Sequence, residues 1–351
     1  MTKNTFDKKL VKLLKEQRLL LSKKNKKTNI WNGIYDRYQN SILTEDHVPI
    51  NWSFDLSHKT NPNLQVRMGV NSVYNAGAIE FKGKICLAAR IEGNDRKSFF
   101  AIAESKNGID NFKFWDYPIT MPETKDPDTN IYDVRLVKHE DGWIYGVFCV
   151  ERKDPKTSKF DQSSAISGAG IARTKDLKKW ERLGDLETPS PQQRDVVLHP
   201  EFVNGKYAFY TRPQDGFIDV GSGSGIAWGL SDSIEKAKIK KETVIYPRLY
   251  HTVGELKNGQ GGAPIKTKEG WLHLAHSVRN NAAGLRYTLF MFMTSLEDPT
   301  KVIYKPGGHF MAPMGDEFIG DVGNVLFVNG WVKKKNDDVL IYYASSDKRM
   351  H

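Results

Sequence analysis

Among the 351 residues, a small set has the side chains that acid–base and anion chemistry require. Arg90, Arg194, Arg212, Lys257 and His276 offer cationic or proton-bearing groups. Asp133 and Asp347 offer carboxylates, and Tyr132 and Tyr287 lie close in sequence to members of this set, Asp133 and His276. An ordinary glycosidase works with two carboxylates, one as acid and the other as base or nucleophile. Here cations outnumber acids. A basic cluster facing a single carboxylic acid suits an enzyme whose nucleophile arrives as an anion. Phosphate is the obvious candidate, because arginine forks hold its oxygens in pairs and fix its direction of attack. No Gly-x-x-x-x-Gly-Lys run is present, which argues against nucleotide phosphate transfer. His273 and His276 stand three apart in a strand-like run, so they point to opposite faces and cannot share one metal ion. No metal and no cofactor are expected.

Residues so far apart need a fold that gathers them, and the turns indicate which. Five strand–turn–strand units recur: 78–87, 135–145, 201–210, 264–274, and 325–331 continued after a lysine-rich turn by 339–343. The first four turn glycines, Gly83, Gly142, Gly205 and Gly270, are 59, 63 and 65 residues apart. Asn-Gly and Asp-Gly suit the positive φ angles of hairpin turns, and the flanking apolar runs are short enough to be strands. No helical pattern of crossover length separates them, as a parallel sheet would require. The expected fold is therefore all-β, a five-bladed β-propeller spanning residues 31–351; a two-sheet sandwich with insertions is the alternative. Arg90 and Arg212 each lie seven residues past a turn glycine, His276 and Asp347 follow the later hairpins, and Asn75, Asp133 and His199 precede the turns. The start of one hairpin strand and the end of its partner share one end of a sheet, so these groups are expected to ring one mouth of the propeller.

Composition narrows the class. Thirty-nine aromatics, 29 glycines and 15 prolines fit many strands and turns. No apolar run approaches the roughly 20 residues of a membrane helix, and Leu19-Leu20-Leu21 lacks the small-residue cleavage site of a secretory signal. Cys86 and Cys149 read as buried thiols, and a cytoplasmic location is expected. The net charge of +10 is concentrated: residues 1–28 carry +8 of it. In that segment Phe6, Leu10, Leu13, Leu14 and Leu21 recur at helical spacing, which predicts an amphipathic N-terminal helix within residues 1–30, basic on its outer face. Its leucines are expected to pack on the body or on another copy, making a homo-oligomer contact. Charge confined to one helix argues against a nucleic-acid partner, and no membrane partner is expected.

Longer blocks carry a resemblance. Residues 74–78 (YNAGA), 89–100 (ARIEGNDRKSFF), 130–135 (NIYDVR), 193–201 (QRDVVLHPE), 210–216 (YTRPQDG), 257–261 (KNGQG) and 342–347 (YYASSD) together resemble the β-mannoside phosphorylases of glycoside hydrolase family 130, from about Ile42 to His351. The resemblance implies a five-bladed propeller. It also implies inverting phosphorolysis, in which mannosyl-β-1,4-glucose and inorganic phosphate as co-substrate give α-mannose 1-phosphate and glucose. Asp133 matches the general acid, acting through the mannosyl 3-hydroxyl. Arg194, Arg212, Lys257, His276 and Tyr287 fall where the family binds phosphate. Asn75, Arg90, Tyr132 and Asp347 match positions that hold the mannosyl ring, while Asp95 and Arg96 lie in the block that reaches the acceptor sugar. Two features depart from the family pattern. Relatives continue past Arg349-Met350-His351 with another strand and a helix, so the fifth blade is expected to close differently, with a looser mouth near Asp347, or the chain to be cut short. Residues 261–264 also carry fewer prolines. The alternatives are a phosphorylase or hydrolase of other β-1,4- or β-1,2-mannosides, with glucose, mannose or N-acetylglucosamine as acceptor, and a glycan-binding propeller without catalysis.

Overall fold

A computed structural model describes residues 2–161, 164–221, 223–282, 284–305 and 307–351. Helix α1 (Lys3–Leu21) leads into a small ribbon of β1 (Lys27–Trp31) and β2 (Asp36–Tyr38), then the four-residue helix α2 (Ile50–Ser53). Blade one holds β3 (Val70–Phe81), β4 (Lys84–Gly93), β5 (Ser98–Ser105) and β6 (Lys113–Phe114); blade two holds β7 (Asn130–Lys138), β8 (Ile144–Lys153), β9 (Ala165–Thr174) and β10 (Glu181–Arg182). In blade three, β11 (Gln192–Gln193) precedes β12 (Val197–Leu198) and β13 (Tyr207–Thr211), and β14 (Pro213–Gln214) precedes β15 (Gly225–Ser231) and β16 (Thr243–Pro247). Blade four comprises β17 (Lys257–Gln260), β18 (Ile265–Lys266), β19 (Trp271–Asn281), β20 (Gly284–Thr294) and β21 (Val302–Tyr304). Blade five comprises β22 (Leu326–Lys333), β23 (Val339–Ser345) and β24 (Arg349–Met350). Every strand pair named in a blade is antiparallel, and the five-bladed propeller expected from the turns is the fold observed.

Each blade presents both faces to neighbours, which explains apolar runs without strict alternation. Eight consecutive residues of β3 are buried. Five buried clusters fill the five gaps between adjacent blades, for example Ile79, Cys86 and Phe100 of blade one against Val134, Leu136 and Phe148 of blade two. Each fully buried side chain of this size contributes roughly 1.5–3 kcal/mol through removal of apolar surface from water. Near the axis the inner strands approach backbone to backbone: a Cβ on Gly77 would lie 2.7 Å from the Val134 carbonyl oxygen and 2.9 Å from the Leu136 nitrogen.

The fifth blade borrows its edge. The Ile42 N–H donates to the Met350 carbonyl (2.8 Å) and the Met350 N–H to the Leu43 carbonyl (2.9 Å), so residues 42–43 extend the β22–β23–β24 sheet. The blade thus closes with an upstream segment, and the turn holding Asp347 is braced by Ser346, whose N–H donates to the Val325 carbonyl and whose hydroxyl donates to the Glu317 carbonyl. Helix α1 is N-capped by Thr2 and docks on this side of the body. Phe6 is buried edge-on against His58, and the Gln17 amide donates to the Val48 carbonyl (2.6 Å). Val11 and Leu19, at 64% and 61% exposure, remain uncovered.

Candidate active site

The inner strands of the blades share a device. At Asn75 and Asp133 an extra residue interrupts the ladder, because Tyr74 and Gly77 face Arg90 and Ala88, and Tyr132 and Arg135 face Cys149 and Val147. A bulge of this kind re-aims one side chain. Asn75 and Asp133 take φ of +47° and +59°, and Asp195 and Asn324 take +54° and +65° at the corresponding places in blades three and five. Asparagine and aspartate tolerate this left-handed region better than other non-glycine residues. The two bulges turn Asn75 and Asp133 into one cavity of about 310 Å³, and the left-handed bend between β11 and β12 brings Asp195 to it.

The cavity is lined by Asn75, Arg90, Arg96, Tyr132, Asp133, Arg194, Arg212, Lys257, Tyr287 and Asp347, all anticipated from sequence. Three anticipated residues stand elsewhere. His276 lies under the floor, fully buried, its Nε2 3.6 Å from an Asp195 oxygen and too far for a hydrogen bond. Burial pushes its pKa down to about 3, so the ring is neutral. Asp95 sits on an exposed turn and accepts from the Lys97 N–H. His199 is a correction: its ring is buried among Trp271, Trp228 and Tyr210, and its Nδ1 engages the Glu201 backbone. The blade-three counterpart of Asn75 and Asp133 is Asp195, four residues earlier.

Asp195 and two carboxylates also missed, Glu92 and Glu151, change the charge picture. The lining holds five carboxylates against five cations, so the mouth is not poor in acids as the sequence suggested. They are segregated. On one side, Asp133 Oδ1 accepts from the Asn75 amide (2.9 Å) and lies 3.2 Å from Arg90 Nη1. The Arg90 guanidinium is stacked between the rings of Tyr74 and Tyr132, 4.5 and 4.7 Å from their centres. Asp347 closes this side. Burial, together with the nearby Asp133 and Glu92 charges and despite Arg90, pushes its pKa up to about 7.

On the other side, the β11–β14 ribbon sets Arg194 beside Arg212, because Gln193 pairs with Pro213. Arg212 Nη1 pairs with Asp195 (2.7 Å) and its Nη2 donates to Gln214. Burial alone would raise the Asp195 pKa, but Arg212, Arg135 and their neighbours hold it well below the usual carboxylate range. The register of β17, β19 and β20 places Lys257 across Val278 from Tyr287, with the ammonium 5.5 Å from the phenol ring centre. Burial, then the Arg212 and Arg194 charges, lower Lys257 to about 8, and burial raises Tyr287 to about 12. A largely enclosed cluster of three cations, with Asp195 paired to Arg212 and Glu151 3.7 Å from Arg194, leaves positive charge that calls for an anion.

Arg135, 2% exposed, joins the two sides. Its Nη1 donates to the Asp133 carbonyl (2.9 Å), its Nη2 to Asp195 (2.7 Å) and its Nε to the Gly261 carbonyl (3.0 Å), and its guanidinium lies 5.8 Å from the Phe327 ring centre.

The profile of the Glyco_hydro_130 family, described as β-1,4-mannooligosaccharide phosphorylase, matches residues 43–350. The chain is 60% identical over 346 residues to the 4-O-β-D-mannosyl-D-glucose phosphorylase of Bacteroides fragilis, covering 99% of this chain and 88% of that protein. It is 32% identical over 248 residues to a 1,2-β-oligomannan phosphorylase of Thermoanaerobacter, covering 70% and 74%. Among solved structures, the β-1,2-mannobiose phosphorylase of Listeria innocua has the same fold, with a TM-score of 0.67 at 22% identity over 81% of this chain and 89% of that one.

Proposed function

We infer the reaction from one premise: the chain belongs to glycoside hydrolase family 130. It is a phosphorylase that cleaves β-1,4-mannosyl-glucose with inorganic phosphate, giving α-mannose 1-phosphate and glucose. The observation that carries this reading is the divided cavity, with Asp133 among mannosyl-side groups and a partly buried Arg194–Arg212–Lys257–Tyr287 cluster beside it.

In the proposed mechanism Asp133 is the acid. Asn75 and Arg90 both engage its Oδ1, which leaves Oδ2 to carry the proton. That proton passes to the mannosyl 3-hydroxyl as the hydroxyl's own proton moves to the glycosidic oxygen, so one carboxylate serves at longer reach than direct donation allows. As the bond from the anomeric carbon to glucose O4 breaks, a phosphate oxygen forms the new bond from the opposite face, inverting the centre. Arg194, Arg212 and Lys257 neutralise the incoming anion and aim it, which is where positioning lowers the barrier. Asp195 is the counter-ion that holds Arg212 in place, and Asn75, Arg90, Tyr132 and Asp347 hold the mannosyl ring. His276 supports the phosphate side from beneath. Arg96 lines the acceptor end with Asp95 on the adjoining turn.

Incubation with 4-O-β-mannosyl-glucose should release glucose and α-mannose 1-phosphate only when phosphate is present. Release of free mannose at the same rate without phosphate would overturn the reading. The uncovered Val11 and Leu19 on α1 further support residues 1–30 as a contact between copies of this chain.

A further inference from the structure

A tyrosine–glutamate–arginine group occurs twice, once within blade one and once with the tyrosine and glutamate of blade two beside an arginine of blade three, and the copies differ in their hydrogen bonding. In blade one the Tyr74 hydroxyl donates to Glu92 Oε2 (2.7 Å), and Arg90 Nη2 sits 2.6 Å from the same oxygen. In blade two the Tyr132 hydroxyl donates to Glu151 Oε1 (2.6 Å), but Arg194 Nη2 stands 3.7 Å away, too far for a hydrogen bond. Arg90 is therefore committed, to Glu92 and to Asp133. Arg194 is not: its guanidinium rests 4.3 Å from the Phe217 ring centre and feels Glu151 only through charge.

We propose that Glu151 sets how tightly the enzyme holds its anionic substrate. Resting on the phosphorylase reading, the argument is electrostatic. Glu151 lines the cavity within 4 Å of a cation assigned to phosphate, so its charge opposes phosphate and α-mannose 1-phosphate alike. By attracting Arg194 without bonding to it, Glu151 keeps the guanidinium near the site and free to pass to the anion. Glu92 holds the same place in its own group but faces the mannosyl side, so it carries no such role.

The test is Glu151→Gln, which keeps size and an acceptor for the Tyr132 hydroxyl while removing the charge. The KM for phosphate should fall by roughly three- to tenfold, the size expected for one like charge removed from beside a bound anion under partial screening. The Kd of inorganic phosphate measured by calorimetry should fall in parallel, and the KM for mannosyl-glucose should hold. Glu92→Gln should leave the phosphate Kd unchanged. A phosphate KM and Kd that stay level or rise in Glu151→Gln overturn the proposal, as does a change confined to the disaccharide KM. The wild-type enzyme in the same assay separates the two readings. If its turnover ignores phosphate, the phosphorylase assignment fails; if it needs phosphate and Glu151→Gln does not shift it, only the role of Glu151 fails.

Discussion

Asp133 is assigned the only proton the reaction must supply, and its neighbours show how it is kept ready: two donors on one oxygen, the other left open. Asp133→Asn preserves the shape and the Asn75 contact but cannot give a proton. Its kcat should drop about 10²–10⁴-fold with an unchanged near-ultraviolet circular dichroism spectrum, and substantial residual turnover would remove the acid assignment. Lys257 makes a pH prediction. Its free-enzyme pKa lies near 8, below that of an ordinary lysine, so the cation that phosphate needs is lost as pH rises through that value. The KM for phosphate should therefore climb between pH 7 and 9; a flat profile would exclude Lys257 from the phosphate site. Most of these residues were legible because hairpin register is set by the turn. Glu92 and Glu151 were legible too and were overlooked, each standing nine residues past its turn glycine and two past Arg90 and Cys149, on the same strand face. Asp195 was harder. The chain between β12 and its turn is irregular, so counting back from Gly205 led to His199.

At the scale of the element, the bulges do what no side chain could do alone. A regular strand would alternate its residues between two buried faces and send none of them into the mouth, whereas the extra residue at Asn75 and Asp133 frees one side chain per blade to point along the axis. The pattern of apolar runs and turns predicts the strands well, but a bulge leaves no mark in hydropathy, and its position is set by a partner strand paired through a turn. The same geometry brings inner strands unusually close. Gly77→Ala would press a methyl group onto the blade-two backbone, which cannot yield as a flexible side chain would. The variant should lose roughly 1–3 kcal/mol of stability in urea unfolding, and activity with it, since Asn75 is two residues away. A midpoint equal to the wild type would show that the inner strands can part at no cost.

For the molecule as a whole, five wedge-shaped sheets leave five apolar seams, and the ring is shut by residues 42–43 pairing with β24. The turn periodicity made the blade number readable; the borrowed edge was not, because pairing between residues as distant as Leu43 and Met350 has no local signature. Helix α1 lies outside this ring. Deleting residues 1–25 should lower the number of subunits per particle counted by light scattering, and Val11→Glu with Leu19→Glu should do the same while leaving Phe6 docked; an unchanged subunit number in both would assign the helix to its own body alone. At the centre stands Arg135, gripping the main chain of the acid with one nitrogen and the counter-ion of Arg212 with another. Sugar seated at Asp133 and phosphate seated at Arg212 would thus press on opposite arms of one lever. Occupancy by either should stiffen the seat of the other, so their affinities should be synergistic, and that mutual reinforcement should vanish when the guanidinium is shortened to an ammonium.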